Sequence, residues 1–143
     1  MTNIWQQYLT LEILNKRNAN TMAQYLGIVF VEITDTTLNA TMPVDRRTHQ
    51  PLGIMNGGAS CVLAETVASA GANFCVDQTI HYCVGLDINT NHIRSVREGL
   101  VTAIAEPIHL GGSTQVWGIK IYDPDKRLVS ISRLTLAVLS RKH

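Results

Sequence analysis

The sequence predicts an α+β protein in which one antiparallel sheet packs against a single long helix. Two observations lead to this prediction. Residues 59–75 form an alanine-rich, apolar segment without proline, and strand-like runs lie on both sides of it. Strands grouped around one hydrophobic helix fit a two-layer α+β domain. The chain has 143 residues and no repeats or Gly/Ser linkers, so we expect one domain over residues 1–143.

The first part of the chain is predicted to form two short helical pieces and two strands. They are expected at residues 11–17, 21–25, 27–34 and 37–44. Thr10 is the expected N-cap of the first helix, since its hydroxyl can accept a backbone N–H. A loop rich in proline and glycine, residues 45–58, then leads to the long helix.

The second part of the chain is predicted to be all strand. Four strands are expected at residues 81–94, 100–111, 114–123 and 128–139. Pro107 predicts a bulge or an edge position, and residues 123–126, Asp-Pro-Asp-Lys, predict a tight turn. One helix covers only one face of a sheet, so we expect a homo-oligomer to cover the other.

Composition excludes several classes of protein. The net charge is +1, so nucleic acid is not an expected partner. The first 18 residues lack the pattern of a secretory signal, and no apolar run approaches the ~20 residues of a membrane helix. Three cysteines without a CxxC pair indicate free thiols in a reduced, cytoplasmic protein.

Glu65 is the residue that stands out in the long helix. It is the only charged residue between Arg47 and Asp77, and its neighbours in the helix are apolar or small. Burying an unpaired carboxylate costs several kcal/mol. Glu65 therefore either lies on an exposed strip or in a structural ion pair, or it serves a water-poor pocket as a nucleophile or general base.

Gly57 and Gly58 precede this helix, where unobstructed backbone N–H groups meet the positive end of the helix dipole. Such donors suit a carbonyl oxygen that becomes an oxyanion, which favours acyl transfer. Cys61, Glu65 and Ser69 are spaced four apart and share one helix face. Cys61 is a weaker candidate nucleophile, because a thiolate needs a basic or cationic neighbour and here it has an anion.

The remaining motifs are less specific. The five histidines show no metal-binding spacing, so we predict no metal, and no nucleotide-binding or nucleophile-elbow motif occurs. Two segments, residues 92–97 and 109–114, combine Arg or His with Ser, Thr and Gly. These donors can hold phosphates, although similar residues also occur at ordinary strand ends.

Three segments, residues 40–69, 84–99 and 108–123, together resemble the hotdog-fold acyl-CoA thioesterases. The Gln-Pro-x-Gly, Gly-Gly and Ala-Glu spacing in the first segment is specific. The resemblance is nearest to the branch that holds 1,4-dihydroxy-2-naphthoyl-CoA hydrolases and proofreading thioesterases of enterobactin synthesis. It implies a hotdog fold, in which the antiparallel sheet wraps around the central helix.

The resemblance also implies hydrolysis of an aromatic or medium-chain acyl-CoA, with coenzyme A as part of the substrate and no separate cofactor. Glu65 matches the catalytic glutamate, acting as nucleophile or as base toward water. Gly57 matches the glycine whose N–H polarises the thioester carbonyl. Gln50 matches the glutamine near the thioester, and Ser69 matches the small hydroxyl residue one turn beyond the glutamate. The positions matching segments that hold substrate and CoA are Gly85, His92, Ile93, Arg94, Ser95, His109, Leu110, Gly111, Gly112, Ser113 and Thr114.

The family resemblance further implies a dimer of dimers with each site built from two chains. The chain departs from the family at Asn56, where relatives usually have histidine, and at Gly112 and Ser113, where they tend to have arginine. The first departure leaves an alternative function open, that of an acyl-CoA-binding protein with weak or lost catalysis. A hotdog hydratase is disfavoured because His49 or His92 would have to replace the missing histidine.

Overall fold

The computed structural model describes residues 2–142. It contains three helices: α1 (Leu11–Arg17), α2 (Met22–Tyr25) and α3 (Gly57–Phe74). It contains six strands: β1 (Val29–Ile33), β2 (Leu38–Val44), β3 (His81–His92), β4 (Gly99–Leu110), β5 (Thr114–Tyr122) and β6 (Leu128–Ser140). Thr10 caps α1, its hydroxyl accepting the N–H of Ile13 at 3.1 Å, as the sequence predicts.

The six strands form one antiparallel sheet in the order β1-β2-β4-β5-β6-β3. The sheet wraps around α3, which contacts β2, β3, β4, β5 and β6. This is the predicted α+β hotdog fold. β1 and β3 are the two edge strands, and the helix occupies one face of the sheet. Within residues 2–142 no helix is long and apolar enough to cross a membrane.

α3 begins at Gly57, two residues before the predicted start. The reason is local: the Asn56 side chain accepts the N–H of Gly58 at 2.7 Å and so caps the helix one residue before Gly57. The helix then buries small and aliphatic side chains against the sheet, namely Ala59, Leu63, Ala64, Val67, Ala68 and Ala72. Small side chains let the helix axis come close to the strands.

The closest approach is at Gly71, which lies on the indole of Trp117 from β5. A Cβ placed on Gly71 would be 2.7 Å from Trp117 Cη2. The indole is fully buried and donates its N–H to the Gln115 side chain at 2.8 Å. Trp5 stacks on it with a ring separation of 6.4 Å, which ties the N-terminal segment to the core.

β4 has a register shift between Pro107 and His109, opposite β5. The pairing of β4 with β2 ends at Ala105, so the proline lies beyond that neighbour. The predicted bulge is therefore confirmed, since a residue without an N–H is accommodated where the ladder is interrupted. The bulge moves the end of the strand, where His109 lies, out of the regular alternation.

We predict that Gly71→Ala destabilises the fold. Alanine normally gains about 1 kcal/mol over glycine inside a helix. Here the added methyl meets the ring of a fully buried tryptophan that cannot move freely, and such overpacking costs about 1–3 kcal/mol. We expect a net loss of about 1 kcal/mol, seen in urea unfolding as a lower midpoint with an unchanged slope. Gly112→Ala, which meets no atom within 4 Å, is the matched control. A midpoint for Gly71→Ala at or above that of the wild type would contradict this packing.

Candidate active site

One face of α3 runs along β3, and three contacts join them. Near the helix start, Gly57 lies against the imidazole of His92, whose Nε2 would be 2.8 Å from an added Cβ. One turn on, the Cys61 thiol donates to the Thr90 hydroxyl at 3.3 Å. A further turn on, the Glu65 carboxylate lies directly on the backbone of Gly85, in the space a Cβ would fill.

Glu65 is half-buried and makes no hydrogen bond or ion pair with any of residues 2–142. Its carboxylate reaches β3 only because Gly85 has no side chain. β3 is an edge strand, so the carboxylate lies close to the open edge of the sheet. The expectation of a structural ion pair is therefore wrong for the described chain, and the carboxylate is available for chemistry.

The start of α3 presents one free donor. The Asn56 side-chain oxygen accepts the N–H of Gly58, whereas the N–H of Gly57 donates to no group within residues 2–142. The preceding loop is held in place by two backbone bonds, Asn56 N–H to Thr48 O at 2.7 Å and Met55 N–H to Val96 O at 2.8 Å. The Gly57 N–H is thus a fixed donor at the positive end of the helix dipole.

A cleft of about 310 Å³ opens beside this donor. It is lined by Gln50, Ile54, Met55, Gly57, Ser60, His92, Ile93, Arg94, Ser95, Val96 and Val129. The structure therefore brings together Gln50, Gly57 and residues 92–95 of the predicted set. Arg94 is exposed and forms no ion pair within the described chain, so the cleft has a cationic rim suited to a phosphate-bearing ligand.

The second predicted substrate segment, residues 109–114, lies at the other end of the sheet. Strand register places Thr114 level with Ala137, and Ala137 level with Val84. Val84 is eight residues from His92 along β3, which corresponds to about 25 Å at ~3.3 Å per residue. One chain alone does not bring the two predicted substrate segments together.

The two candidate catalytic groups are also separated within one chain. Glu65 follows Gly57 by eight helical residues, or about 12 Å along the axis at 1.5 Å per residue. A thioester carbonyl needs a donor about 3 Å from its oxygen and a carboxylate about 3–3.5 Å from its carbon. With the C=O bond included, those contacts span about 7 Å, which is less than the axial separation of the two backbones. Glu65 and Gly57 of one chain are therefore poorly placed to act on one carbonyl.

The cysteines offer no competing nucleophile. Burial raises the pKa of Cys75 to about 12, with a further contribution from the nearby Cys83, and burial also raises the pKa of the Cys83 thiol. Cys61 is held as a hydrogen-bond donor to Thr90. Ser69 lies one turn beyond Glu65 and is half-buried, and its hydroxyl makes no hydrogen bond within residues 2–142.

Two features of the site were missed by sequence reasoning. The contact of His92 with Gly57 depends on the register of β3 against β6, in which a bulge lies between Gly85 and Asp87. The contact of the Glu65 carboxylate with Gly85 depends on the same strand register. A glycine within a strand is the one sequence signal that could have indicated the second contact, since it often marks a close approach.

The fold is that of a hotdog protein. Its candidate site combines a helix carboxylate, Glu65, and a backbone N–H at the helix start, Gly57, neither of which has a partner within residues 2–142. The sequence model of the Thioesterase superfamily matches residues 52–130. The 1,4-dihydroxy-2-naphthoyl-CoA hydrolase of Escherichia coli K12 is 49% identical over 136 residues, 95% of this chain and 99% of that protein. A proofreading thioesterase of Cronobacter sakazakii is 45% identical over 136 residues, 95% and 98% of the two chains.

The crystal structure of a thioesterase variant from Pseudomonas aeruginosa superposes with a TM-score of 0.95 at 47% identity, covering 96% of this chain and 99% of that one. The chain belongs to the Thioesterase superfamily. It is an enzyme that hydrolyses thioesters.

We predict that Gly57→Pro removes the candidate oxyanion donor, the Gly57 N–H, while keeping the helix. Proline has no N–H and is favoured at the first helical position, and Asn56 already has the extended backbone (φ −64°, ψ 133°) that a residue before proline needs. Loss of one such donor lowers kcat by about 10²–10³-fold. Thiol release would be measured alongside thermal unfolding.

Gly57→Ala is the matched variant, because it adds the same carbon next to His92 but keeps the N–H. It should retain far more activity than Gly57→Pro. Equal activity in the two variants would show that the N–H is not the donor.

Proposed function

We propose that the protein hydrolyses an acyl-CoA thioester to the free acid and CoA, with Glu65 as nucleophile or general base. The observation that carries this proposal is the unpaired Glu65 carboxylate, which lies on Gly85 at the open edge of the sheet. A half-buried carboxylate without a partner is costly for stability alone and well placed for reaction. The Gly57 N–H polarises the carbonyl, and no cofactor besides the CoA of the substrate takes part.

In the proposed reaction the carbonyl oxygen accepts the Gly57 N–H, which stabilises the negative charge that develops on it. The carboxylate of Glu65 then either attacks the carbonyl carbon, forming an anhydride that water cleaves, or takes a proton from the attacking water. Gln50 lies in the same cleft as the donor, and Ser69 flanks the carboxylate on the helix. His92, Ile93, Arg94 and Ser95 hold the CoA side.

We propose that each site is built from two chains. Glu65 of one protomer then acts on a thioester whose carbonyl oxygen is bound by the Gly57 N–H of its partner. The eight-residue spacing of these groups and the distance between the two substrate segments support this arrangement. β3 supports it too: this 12-residue edge strand exposes unpaired backbone groups, with Val84 41% and Leu86 62% exposed. Antiparallel pairing of two β3 strands would bring opposite ends of the two chains together.

The same proposal extends to a dimer of dimers. The outer face of the sheet has a cleft of about 580 Å³ with exposed Ile108 and Ile131 and charges of both signs, Glu106 with Arg133. A self-complementary mixture of apolar and charged groups suits contact with a second copy across a twofold axis. The proposed location is the cytoplasm, where Cys61, Cys75 and Cys83, all free thiols, would stay reduced.

We propose an aromatic or medium-chain acyl group as the substrate class. The relative from Escherichia coli is named for an aromatic acyl-CoA, and it is 49% identical to this chain. The Asn56 side chain keeps the helix start capped and the Gly57 donor free, which supports catalysis over simple binding. A panel of aromatic, β-keto and straight-chain acyl-CoAs, followed by free-thiol release, would rank the substrates.

We predict that Glu65→Gln abolishes thiol release with the best substrate of that panel. Glutamine keeps the shape of the side chain but can neither attack nor accept a proton, so we expect a loss of about 10²–10⁴-fold in kcat. Glu12→Gln, which changes an exposed carboxylate on α1 that pairs with Lys16, is the matched control and should be fully active. If Glu65→Gln and the wild type hydrolyse the substrate equally, Glu65 has no catalytic role.

We predict that co-expression of Glu65→Gln and Gly57→Pro chains restores activity. In a mixed dimer with two-chain sites, one site carries both defects and the other carries neither. With random pairing, half of the dimers are mixed, so about one quarter of the wild-type activity should return. Each variant expressed alone is the control. A mixture no more active than the single variants would mean that each site lies within one chain.

A further inference from the structure

We propose that His92 donates the proton to the departing CoA thiolate. This inference rests on the proposed thioester hydrolysis and adds a second acid–base group to it. It is carried by the contact between the His92 imidazole and Gly57, the residue whose N–H receives the carbonyl oxygen.

The geometry places the His92 imidazole beside Gly57, the residue that binds the thioester carbonyl. An added Cβ on Gly57 would be 2.8 Å from His92 Nε2 and 3.0 Å from Cε1. That Cβ position lies about 2.5 Å from the Gly57 nitrogen, given standard backbone dimensions. The thioester sulfur is bonded to the same carbon as the oxygen held by this N–H. Adding these lengths puts Nε2 within about 5.3 Å of the Gly57 nitrogen, so the sulfur can come within reach of Nε2 when the carbonyl is bound.

The other side chains of the cleft cannot take this role. Of its eleven lining residues in the described chain, His92 carries the only imidazole, the side chain that most often transfers protons in enzymes. A guanidinium such as that of Arg94 does not act as a proton donor in proteins, and serine hydroxyls are too weakly acidic. Asn56 has no ionisable group, and its side-chain oxygen is engaged by the N–H of Gly58 at 2.7 Å.

The proton and electron balance is complete without another reactant. As the C–S bond breaks, its electron pair stays on sulfur, and the Nε2–H proton of the imidazolium moves to that sulfur to give the CoA thiol. The neutral imidazole then regains a proton from solvent. The acyl group leaves as the acid after attack of water.

The test compares His92→Gln with the wild type on three thioesters of one acyl group, the one that the wild type hydrolyses fastest. The thiols are CoA, pantetheine and 4-nitrothiophenol. The first two leave as basic alkyl thiolates that benefit from protonation, whereas the third leaves readily as an anion. We expect kcat/KM of the variant to fall about 10²-fold on both alkyl thioesters and less than about threefold on the aryl thioester.

Two other outcomes would overturn the proposal. A loss confined to the CoA thioester, with the pantetheine thioester unaffected, would mean that His92 binds the nucleotide portion. An equal loss on all three thioesters would mean that it acts on the carbonyl or the fold. Glu65→Gln should be inactive on all three, which separates failure of this proposal from failure of the hydrolase assignment. Glu12→Gln, which changes an exposed carboxylate on α1 that pairs with Lys16, is the control and should leave the rates on all three thioesters unchanged.

Discussion

The structure depends on how closely α3 approaches the sheet, and three glycines make that approach possible. The ring of Trp117 packs against Gly71. The carboxylate of Glu65 packs against Gly85, and the imidazole of His92 packs against Gly57. At each position the space of a missing Cβ is filled by a side chain from the other layer. The first contact packs the core, while the other two position Glu65 and His92, the side chains to which the proposed reaction assigns roles. The same packing constraint thus acts on the core at one end of the helix and on the candidate site toward the other.

This close packing also limits what one chain can do. Because α3 is a rigid rod, its start and the backbone of Glu65 stay about 12 Å apart along the axis however the loops move. The residues on β3 that contact them are separated in the same way, His92 from Gly85 by seven positions. A site that needs both groups on one carbonyl must therefore combine two copies. The long, exposed edge of β3 offers the natural place for that combination.

Much of the fold could be predicted from the sequence because its signals are local. The alternation of Leu38, Ala40 and Met42 predicts a half-buried strand, and these three side chains are fully buried. The apolar run from Ala59 predicts the helix, although its start at Gly57 required recognising Asn56 as the cap. Periodicity and turn chemistry act over a few residues, so one sequence contains them.

The site was only partly predictable, since its contacts depend on long-range register. Glu65 stands out in the sequence as a lone charge. Its contact with Gly85, however, is determined by the pairing of β3 with β6, which contains a bulge. The position of His92 over Gly57 has the same origin. Their shared helix placed Glu65 and Gly57 in one site, whereas the family resemblance implied sites built from two chains. Helix geometry and strand register favour the two-chain arrangement.

The most direct test of the two-chain site is a crystal structure with an inert ketone analogue of the best substrate, in which a methylene group separates the carbonyl from sulfur. We expect the carbonyl oxygen about 3 Å from Gly57 N of one protomer and the carbonyl carbon about 3–3.5 Å from the Glu65 carboxylate of its partner. A carbonyl that contacts Gly57 and Glu65 of the same chain, or neither of them, would contradict it.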